Sequence, residues 1–143
     1  MSASTRAFLD TNVLVYAYDD SSSAKQQRAR ELVETLANDE RALLSTQVLQ
    51  EFYVVVTRRL QVPVLEDVAQ EAVETLLALP IVQVTPALIV DGVRRSRVDQ
   101  LALWDALIVE AALAGGASVL YSEDLQDGRR FGDLQIVNPF HGT

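Results

Sequence analysis

Residues 7–18 read AFLDTNVLVYAY, a short apolar run that is closed by one acid and followed by a longer apolar run. The apolar residues Ala7–Leu9 predict a short buried strand, and Val13–Tyr18 predicts a helical turn after it. Asp10 therefore falls at the carboxyl end of a strand. In an open parallel sheet, this is the edge at which ligands bind.

Short apolar runs alternate with longer helical patterns over the rest of the chain. Further strands are predicted at Ala42–Leu44, Ile81–Val84, Ser118–Tyr121 and Gln135–Val137. Helices are predicted from the capping box of Ser23 and Gln26 to Ala37, from Ser45 or Thr46 to about Leu60, and over Leu65–Leu79, Ala87–Arg95 (capped by Thr85) and Leu103–Leu113. Ser122–Arg130 is expected to be a polar loop. Strands separated by helices indicate parallel crossovers. We therefore expect one α/β domain over residues 1–143, a three-layer α/β/α sandwich with a central, mainly parallel five-stranded sheet.

The composition narrows the class of protein and the chemistry that it can perform. The chain has no cysteine, one histidine (His141) and a net charge of −8, and only Lys25 among its 12 basic residues is a lysine. A disulfide framework, a thiolate zinc site and a cysteine nucleophile are excluded. No secretory signal and no apolar run of roughly 18 to 20 residues is seen, so we expect a cytoplasmic protein without a membrane partner. The negative charge argues against simple phosphate binding, although a bound metal ion would reduce the local repulsion.

Four acids lie far apart in the sequence but beside apolar residues: Asp10, Glu51, Asp105 and Asp124. Asp10 and Asp124 follow predicted strands, and the other two lie on predicted helices. If these helices dock with the right end upward, the four carboxylates converge. Their mutual repulsion would then require protonation or a multivalent cation. Oxygen ligands without His or Cys favour Mg²⁺ or Mn²⁺, one ion or two, and hydrolysis of a phosphodiester is the chemistry that follows.

Each of these residues also has a structural interpretation. Asp10 could cap a helix, Asp105 could pair with an arginine, Glu51 could simply border an apolar stripe, and Asp124 could be solvated. Thr11 and Asn12 could cap the next turn or hold Asp10, and Ser122 could contact a phosphate or merely begin the loop. Either Glu123 or Asp127 could replace Asp124 as the fourth acid. Trp104 is expected to pack rather than stack on a base, and four acids are expected to be solvated loop charges: Asp19, Asp20, Asp39 and Glu40.

Together, five segments resemble the PIN-domain ribonucleases that serve as toxin subunits of VapBC toxin–antitoxin pairs. The matching segments are Phe8–Ala17, Ser45–Phe52, Trp104–Ile108, Tyr121–Gly128 and Val137–Phe140. The resemblance implies a Mg²⁺- or Mn²⁺-dependent endoribonuclease with the acidic quartet Asp10, Glu51, Asp105 and Asp124, accompanied by Asn12 and Ser122. It also implies a strand order of 3-2-1-4-5, a homodimer, an RNA substrate and inhibition by a small antitoxin protein.

Two other classes of protein share part of this pattern. Receiver domains and haloacid-dehalogenase-like phosphatases also combine a parallel sheet with acids and Mg²⁺. Both of these families, however, use a lysine that follows a late strand. Here the lysine is Lys25, in an early helix, and Asn12 is an amide where the phosphatases need an acid. The remaining alternative is a catalytically silent module of the same fold that only binds a partner or dimerises.

Overall fold

A six-stranded sheet forms the centre of the computed structural model, which describes residues 5–143. The strands are β1 (Arg6–Leu9), β2 (Ala42–Ser45), β3 (Ile81–Val82), β4 (Ala117–Tyr121), β5 (Arg130–Phe131) and β6 (Leu134–Val137). Their order across the sheet is β3-β2-β1-β4-β6-β5, and every pairing is parallel except that of β5 with β6. The order expected for the five parallel strands is confirmed.

The prediction of five strands is wrong, because β5 adds an antiparallel edge strand. β5 begins at the end of the segment expected to be a polar loop, and Phe131 pairs with Leu134 across a two-residue turn. Gly132 in this turn has a φ of 61°, a conformation that glycine adopts without steric cost. A strand of two residues is too short to produce an alternating pattern, so only the turn glycine hinted at the hairpin.

Within residues 5–143, six helices cover the sheet and complete the three-layer sandwich. They are α1 (Thr11–Tyr16), α2 (Ser23–Asn38), α3 (Thr46–Arg58), α4 (Glu66–Leu76), α5 (Pro86–Asp99) and α6 (Leu103–Ala114). Ser45 caps α3 by accepting from Val48 N, and Thr85 caps α5 by accepting from Leu88 N, as expected. The capping box at α2 is wrong. Its N-cap is Ser22, which makes no side-chain cap bond, and the Gln26 amide donates to Asp20 instead.

The strands at the centre of the sheet carry the most deeply buried side chains. Phe8, Leu44, Leu120 and Ile136 are fully buried, and the core continues into α3 through Phe52. Burial of both sheet faces explains why these strands read as continuous apolar runs. No helix within residues 5–143 has the length and apolarity that crossing a membrane requires. Residues 1–4 lie outside the described part of the chain, and the single domain over residues 1–143 stays a prediction.

Candidate active site

Asp10 and Ser122 are brought together by the pairing of the two central strands. Leu9 at the end of β1 is in register with Tyr121 at the end of β4. The ladder continues one step further, because Asp10 N donates to Tyr121 O at 3.0 Å. The residues that follow the two strands are therefore neighbours at the carboxyl edge of the sheet. There, Ser122 Oγ donates to Asp10 Oδ2 at 2.8 Å.

Asp10 is the most deeply buried of the four acids, with an exposed fraction of 6%. Its Oδ1 accepts from Thr11 N at 2.7 Å, so Asp10 does cap α1 while its Oδ2 accepts from Ser122. Burial, and then the charges of Asp124 and Glu51, raise the pKa of Asp10 to about 7, against the opposing effect of these two hydrogen bonds. The two hydrogen bonds therefore do not fully offset the cost of burying a negative charge on Asp10 near neutral pH.

Glu51, on the second turn of α3, is held by donors on two sides. Thr11 Oγ1 donates to Glu51 Oε1 at 2.7 Å, and Gln47 Nε2 donates to Glu51 Oε2 at 3.2 Å. Gln47 lies one turn before Glu51 on the same helix face, and its Nε2 also donates to Trp104 O at 3.1 Å. Thr11 thus connects α1 to α3, and Gln47 connects α3 to the start of α6.

Asp124 is tied to α1 through Asn12. Asn12 Nδ2 donates to Asp124 Oδ2 at 3.1 Å, and Asn12 Oδ1 accepts from Glu123 N at 3.2 Å. Ser122 Oγ accepts from Asp124 N at 3.2 Å, which closes the loop after β4. The side chain of Asp124 is exposed, so the expectation of apolar surroundings is wrong for this acid. The loop projects beyond the end of the sheet, where the side chain reaches solvent.

The two acids that could replace Asp124 have other partners. Glu123 accepts from Lys25 Nζ at 2.5 Å and from Tyr16 Oη at 2.7 Å. Burial opposes any fall in the pKa of Glu123, but these two bonds outweigh it and lower that pKa. Asp127 is exposed and accepts from Asn138 N at 2.7 Å, with His141 Nε2 at 2.9 Å from its other oxygen. Of the three acids, only Asp124 has a carboxylate that accepts a hydrogen bond from Asn12.

Asp105, on the first turn of α6, is half-buried and has no salt bridge within residues 5–143. The structure therefore shows no arginine partner for it in this part of the chain. Burial, and then the charges of Asp124 and Glu51, raise the pKa of Asp105. The same two acids, Asp124 and Glu51, raise the pKa of both Asp10 and Asp105, so Asp10 and Asp105 both lie within electrostatic reach of Asp124 and Glu51.

A cleft of about 760 Å³ opens over this edge of the sheet. The side chains that define it come from α1, α3, the start of α6 and the loop after β4: Thr11, Asn12, Gln47, Glu51, Trp104 and Asp124. Trp104 is 64% exposed, so the expectation that it is a packing residue is wrong. Asp19, expected to be a solvated loop charge, also lines the cleft, as does Arg59.

The acids suit a hard cation that keeps part of its water shell. In residues 5–143, no group of three or more His, Cys, Asp or Glu side chains is arranged closely enough to hold an ion by itself. Mg²⁺ needs only one or two carboxylates and keeps several waters, and all four candidate ligands supply oxygen. Gln47 Oε1 is buried in the cleft wall without a hydrogen-bond donor, an acceptor that a bound water would satisfy.

Comparisons with known proteins agree with this architecture. A family model described as the PIN domain matches residues 7–131. Similar solved structures include VapC20 of Mycobacterium tuberculosis, a Sarcin-Ricin loop cleaving toxin, with 17% identity over 82% of this chain and 89% of that one, and a TM-score of 0.63. A toxin–antitoxin complex from Klebsiella pneumoniae is 21% identical over 94% and 98% of the two chains, with a TM-score of 0.68. VapBC2 from Rickettsia felis, bound to promoter DNA, is 21% identical over 92% and 97%, with a TM-score of 0.64. No curated protein sequence matches significantly.

Proposed function

Because the chain belongs to the PIN-domain family, we propose that it is a metal-dependent endoribonuclease that hydrolyses phosphodiester bonds in RNA. The observation that carries this proposal is the grouping of four carboxylates at one edge of the sheet, none of which is paired with a basic side chain within residues 5–143. Asp124 and Glu51 raise the pKa of both Asp10 and Asp105. Such an arrangement is costly unless a multivalent cation binds to it, and a divalent cation among carboxylates is the usual basis of phosphodiester hydrolysis.

Asp10, Glu51, Asp105 and Asp124 are the proposed ligands of one or two Mg²⁺ or Mn²⁺ ions, directly or through water. When bound, such an ion stabilises charge on the phosphate and lowers the pKa of a coordinated water. The protein's own contribution is orientation. Ser122 and Thr11 N fix the Asp10 carboxylate, Thr11 Oγ1 fixes Glu51, and Asn12 fixes Asp124. These donors are uncharged, so they direct the carboxylates without neutralising them.

Toxin activity and its control by an antitoxin are proposed from the solved structures that have a similar fold. The similar structures include a toxin–antitoxin complex and VapBC2, and the chain covers at least nine-tenths of each of these two chains. We therefore propose a cytoplasmic homodimeric toxin of a type II pair, inhibited by a small antitoxin protein. A short open reading frame that overlaps or directly precedes the gene, and whose product binds this chain, would support the pair.

The activity is tested by incubating the protein with structured RNAs in Mg²⁺, Mn²⁺ or EDTA. We expect cleavage with either metal, none with EDTA, and a loss of at least 100-fold for Asp10→Asn and Asp105→Asn, as for the removal of one electrostatic group from an active site. Asp133→Asn is the matched control, because Asp133 is an exposed acid in the turn between β5 and β6. Cleavage that survives EDTA or both substitutions would refute the metal mechanism.

The same cleavage assay distinguishes a catalytically silent module from a nuclease. In that case the wild type would cleave no RNA in either metal but would still bind its partner protein or dimerise. A phosphatase or receiver-like reaction is less well supported. Lys25 does reach the loop after β4, but there it pairs with Glu123, whereas the partners of Asp10 are Ser122 and Thr11.

A further inference from the structure

Trp104 is a large aromatic side chain that the fold leaves uncovered beside the acids. It directly precedes Asp105 on α6, is 64% exposed and lines the same cleft as Glu51 and Asp124. Phe8 and Phe52, by contrast, are fully buried. An exposed indole in a cleft, rather than on an outer surface, indicates a surface for a ligand.

The position of Trp104 is fixed relative to Glu51 by one side chain. Gln47 Nε2 donates both to Trp104 O at 3.1 Å and to Glu51 Oε2 at 3.2 Å. Both partners are acceptors, so the amide orientation is determined and Gln47 Oε1 is the atom left without a donor. Gln47 is 6% exposed. Gln47 therefore holds the backbone of Trp104 beside the Glu51 carboxylate, which gives the indole a defined place next to this acid.

The net charge of −8 limits how this protein can bind RNA. Counterion release at lysines and arginines is the usual source of nonspecific affinity, and it is limited in a chain whose 20 acidic residues outnumber its 12 basic ones. Stacking of bases on aromatic side chains does not depend on net charge. The cleft also offers the amide of Gln50 for a base edge, and the apolar side chain of Val54. Unpaired bases are recognised through these kinds of contact.

Arg59 provides a positive charge at the far end of the α3 face that carries Glu51. Glu51, Val55 and Arg59 follow one another at intervals of four residues, and all three line the cleft. At 1.5 Å per residue, Arg59 lies about 12 Å along the axis from Glu51. Arg59 is exposed and makes no salt bridge within the described residues, which leaves it free for a flanking phosphate.

We propose that Trp104 is the stacking platform on which an unpaired base of the substrate RNA lies, next to the phosphodiester that is cut. The proposal rests on the ribonuclease function proposed above and assigns to Trp104 the contact with one base beside the cut. Arg59 binds a flanking phosphate.

Trp104 is the one tryptophan of the chain, so its fluorescence reports on this site alone. Asp10→Asn protein, which is expected not to cleave, is titrated with an RNA hairpin that carries an unpaired loop. The control ligand is a blunt duplex of the same stem sequence. We expect the hairpin to quench the fluorescence at concentrations at least tenfold below those at which the duplex acts. Equal quenching by the two RNAs, or none, would overturn the proposal.

Steady-state cleavage kinetics distinguish stacking of a base on the Trp104 indole from a purely apolar contact. Loss of one stacked base is expected to raise KM by about 5- to 150-fold in Trp104→Ala, with kcat changed by less than about threefold. Trp104→Phe should keep most of the affinity, whereas Trp104→Leu, which is apolar without a π face, should behave like Ala. Unchanged KM in Trp104→Ala would overturn the proposal. So would a Trp104→Ala variant that cleaves normally but no longer binds its antitoxin protein, since the indole would then be a protein contact.

The two proposals fail in different ways. A wild-type protein without any metal-dependent cleavage refutes the ribonuclease function, and the fluorescence titration still tests stacking of RNA. A wild type that cleaves, with Trp104→Ala equally efficient, refutes only the stacking platform. Trp104 is mostly exposed, so its substitution should leave the fold intact, which circular dichroism and the melting temperature would verify.

Discussion

Asp10→Asn is expected to change how the stability of the metal-free protein depends on pH. Burial, and then the charges of Asp124 and Glu51, raise the pKa of Asp10 to about 7 in the folded protein. In the unfolded chain, the same carboxyl group titrates near its ordinary pKa of about 4. Between these two values the folded protein keeps a proton that the unfolded chain has released. The contribution of Asp10 to stability is therefore fully present below about pH 4 and is lost as the pH rises to about 7.

The size of the effect follows from the width of this window. Each pH unit corresponds to about 1.36 kcal/mol, so the two units between pH 5 and the folded-state pKa of about 7 correspond to roughly 2.7 kcal/mol. Asparagine does not ionise. Between pH 5 and pH 8, the wild type should therefore lose roughly 2 to 3 kcal/mol more of its free energy of unfolding than Asp10→Asn does. The raised pKa of Asp105 acts in the same direction in both proteins and cancels in this comparison.

Urea denaturation followed by far-ultraviolet circular dichroism, in EDTA at pH 5, 6, 7 and 8, measures the two slopes. Asp133→Asn, which removes an exposed turn acid, controls for the change in net charge and should follow the wild type. Added Mn²⁺ at pH 8 should restore the stability of the wild type and reduce the difference from Asp10→Asn. Parallel curves for the wild type and Asp10→Asn in EDTA would refute the reasoning, because Asp10 would then not carry the buried charge.

Three further outcomes are expected. Lys25→Met should free Glu123 and lower kcat for RNA cleavage by about tenfold through disorder of the loop after β4. Lys25→Arg keeps the positive charge and should retain most of the wild-type kcat. Equal rates in the wild type and both variants would show that this ion pair does not position the loop. Ser122→Ala should lower the free energy of unfolding by about 1 to 3 kcal/mol in urea denaturation, because it removes the donor to Asp10 and the acceptor for two backbone N–H groups; an unchanged urea midpoint would contradict this. Mn²⁺ should raise the melting temperature of the wild type more than that of Asp105→Asn, and identical shifts would mean that Asp105 does not contribute to the ion.

The parallel part of the sheet could be predicted because each strand is a continuous apolar run between helical patterns. Ser45 and Thr85 could be recognised as caps because a cap bond is local and leaves a fixed spacing in the sequence. The same rule failed at Gln26, where the side chain bonds to Asp20 across the preceding turn instead. The edge strand β5 was missed because it is stabilised by its pairing with β6, which two residues of sequence do not reveal.

In the site, the residues that follow strands could be predicted and the bridging residues could not. Position after an apolar run indicated that Asp10 lies at the sheet edge, and register with β4 then brings Ser122 to it. Gln47 had a weak signal, since it lies one turn before Glu51 on the same face of α3. Lys25 had none. Its contact with Glu123 spans 98 positions and depends on how α2 packs beside the loop.

The type of donor that holds each acid separates the proposed metal ligands from the structural acids. Asp10, Glu51 and Asp124 are held by hydroxyl, amide or backbone N–H groups, which leave their negative charge uncompensated. Asp105 has no salt bridge in residues 5–143 and meets only like charge from Asp124 and Glu51.

The acids that could replace Asp124 are held in a different way. Glu123 is paired with the ammonium of Lys25, and Asp127 lies beside His141 and accepts from Asn138 N. A cation is attracted most strongly to carboxylates whose charge no protein cation already balances. The same strand end therefore provides two kinds of acid: Glu123, which an internal cation uses to fasten the loop, and Asp124, which the loop presents with its charge still available.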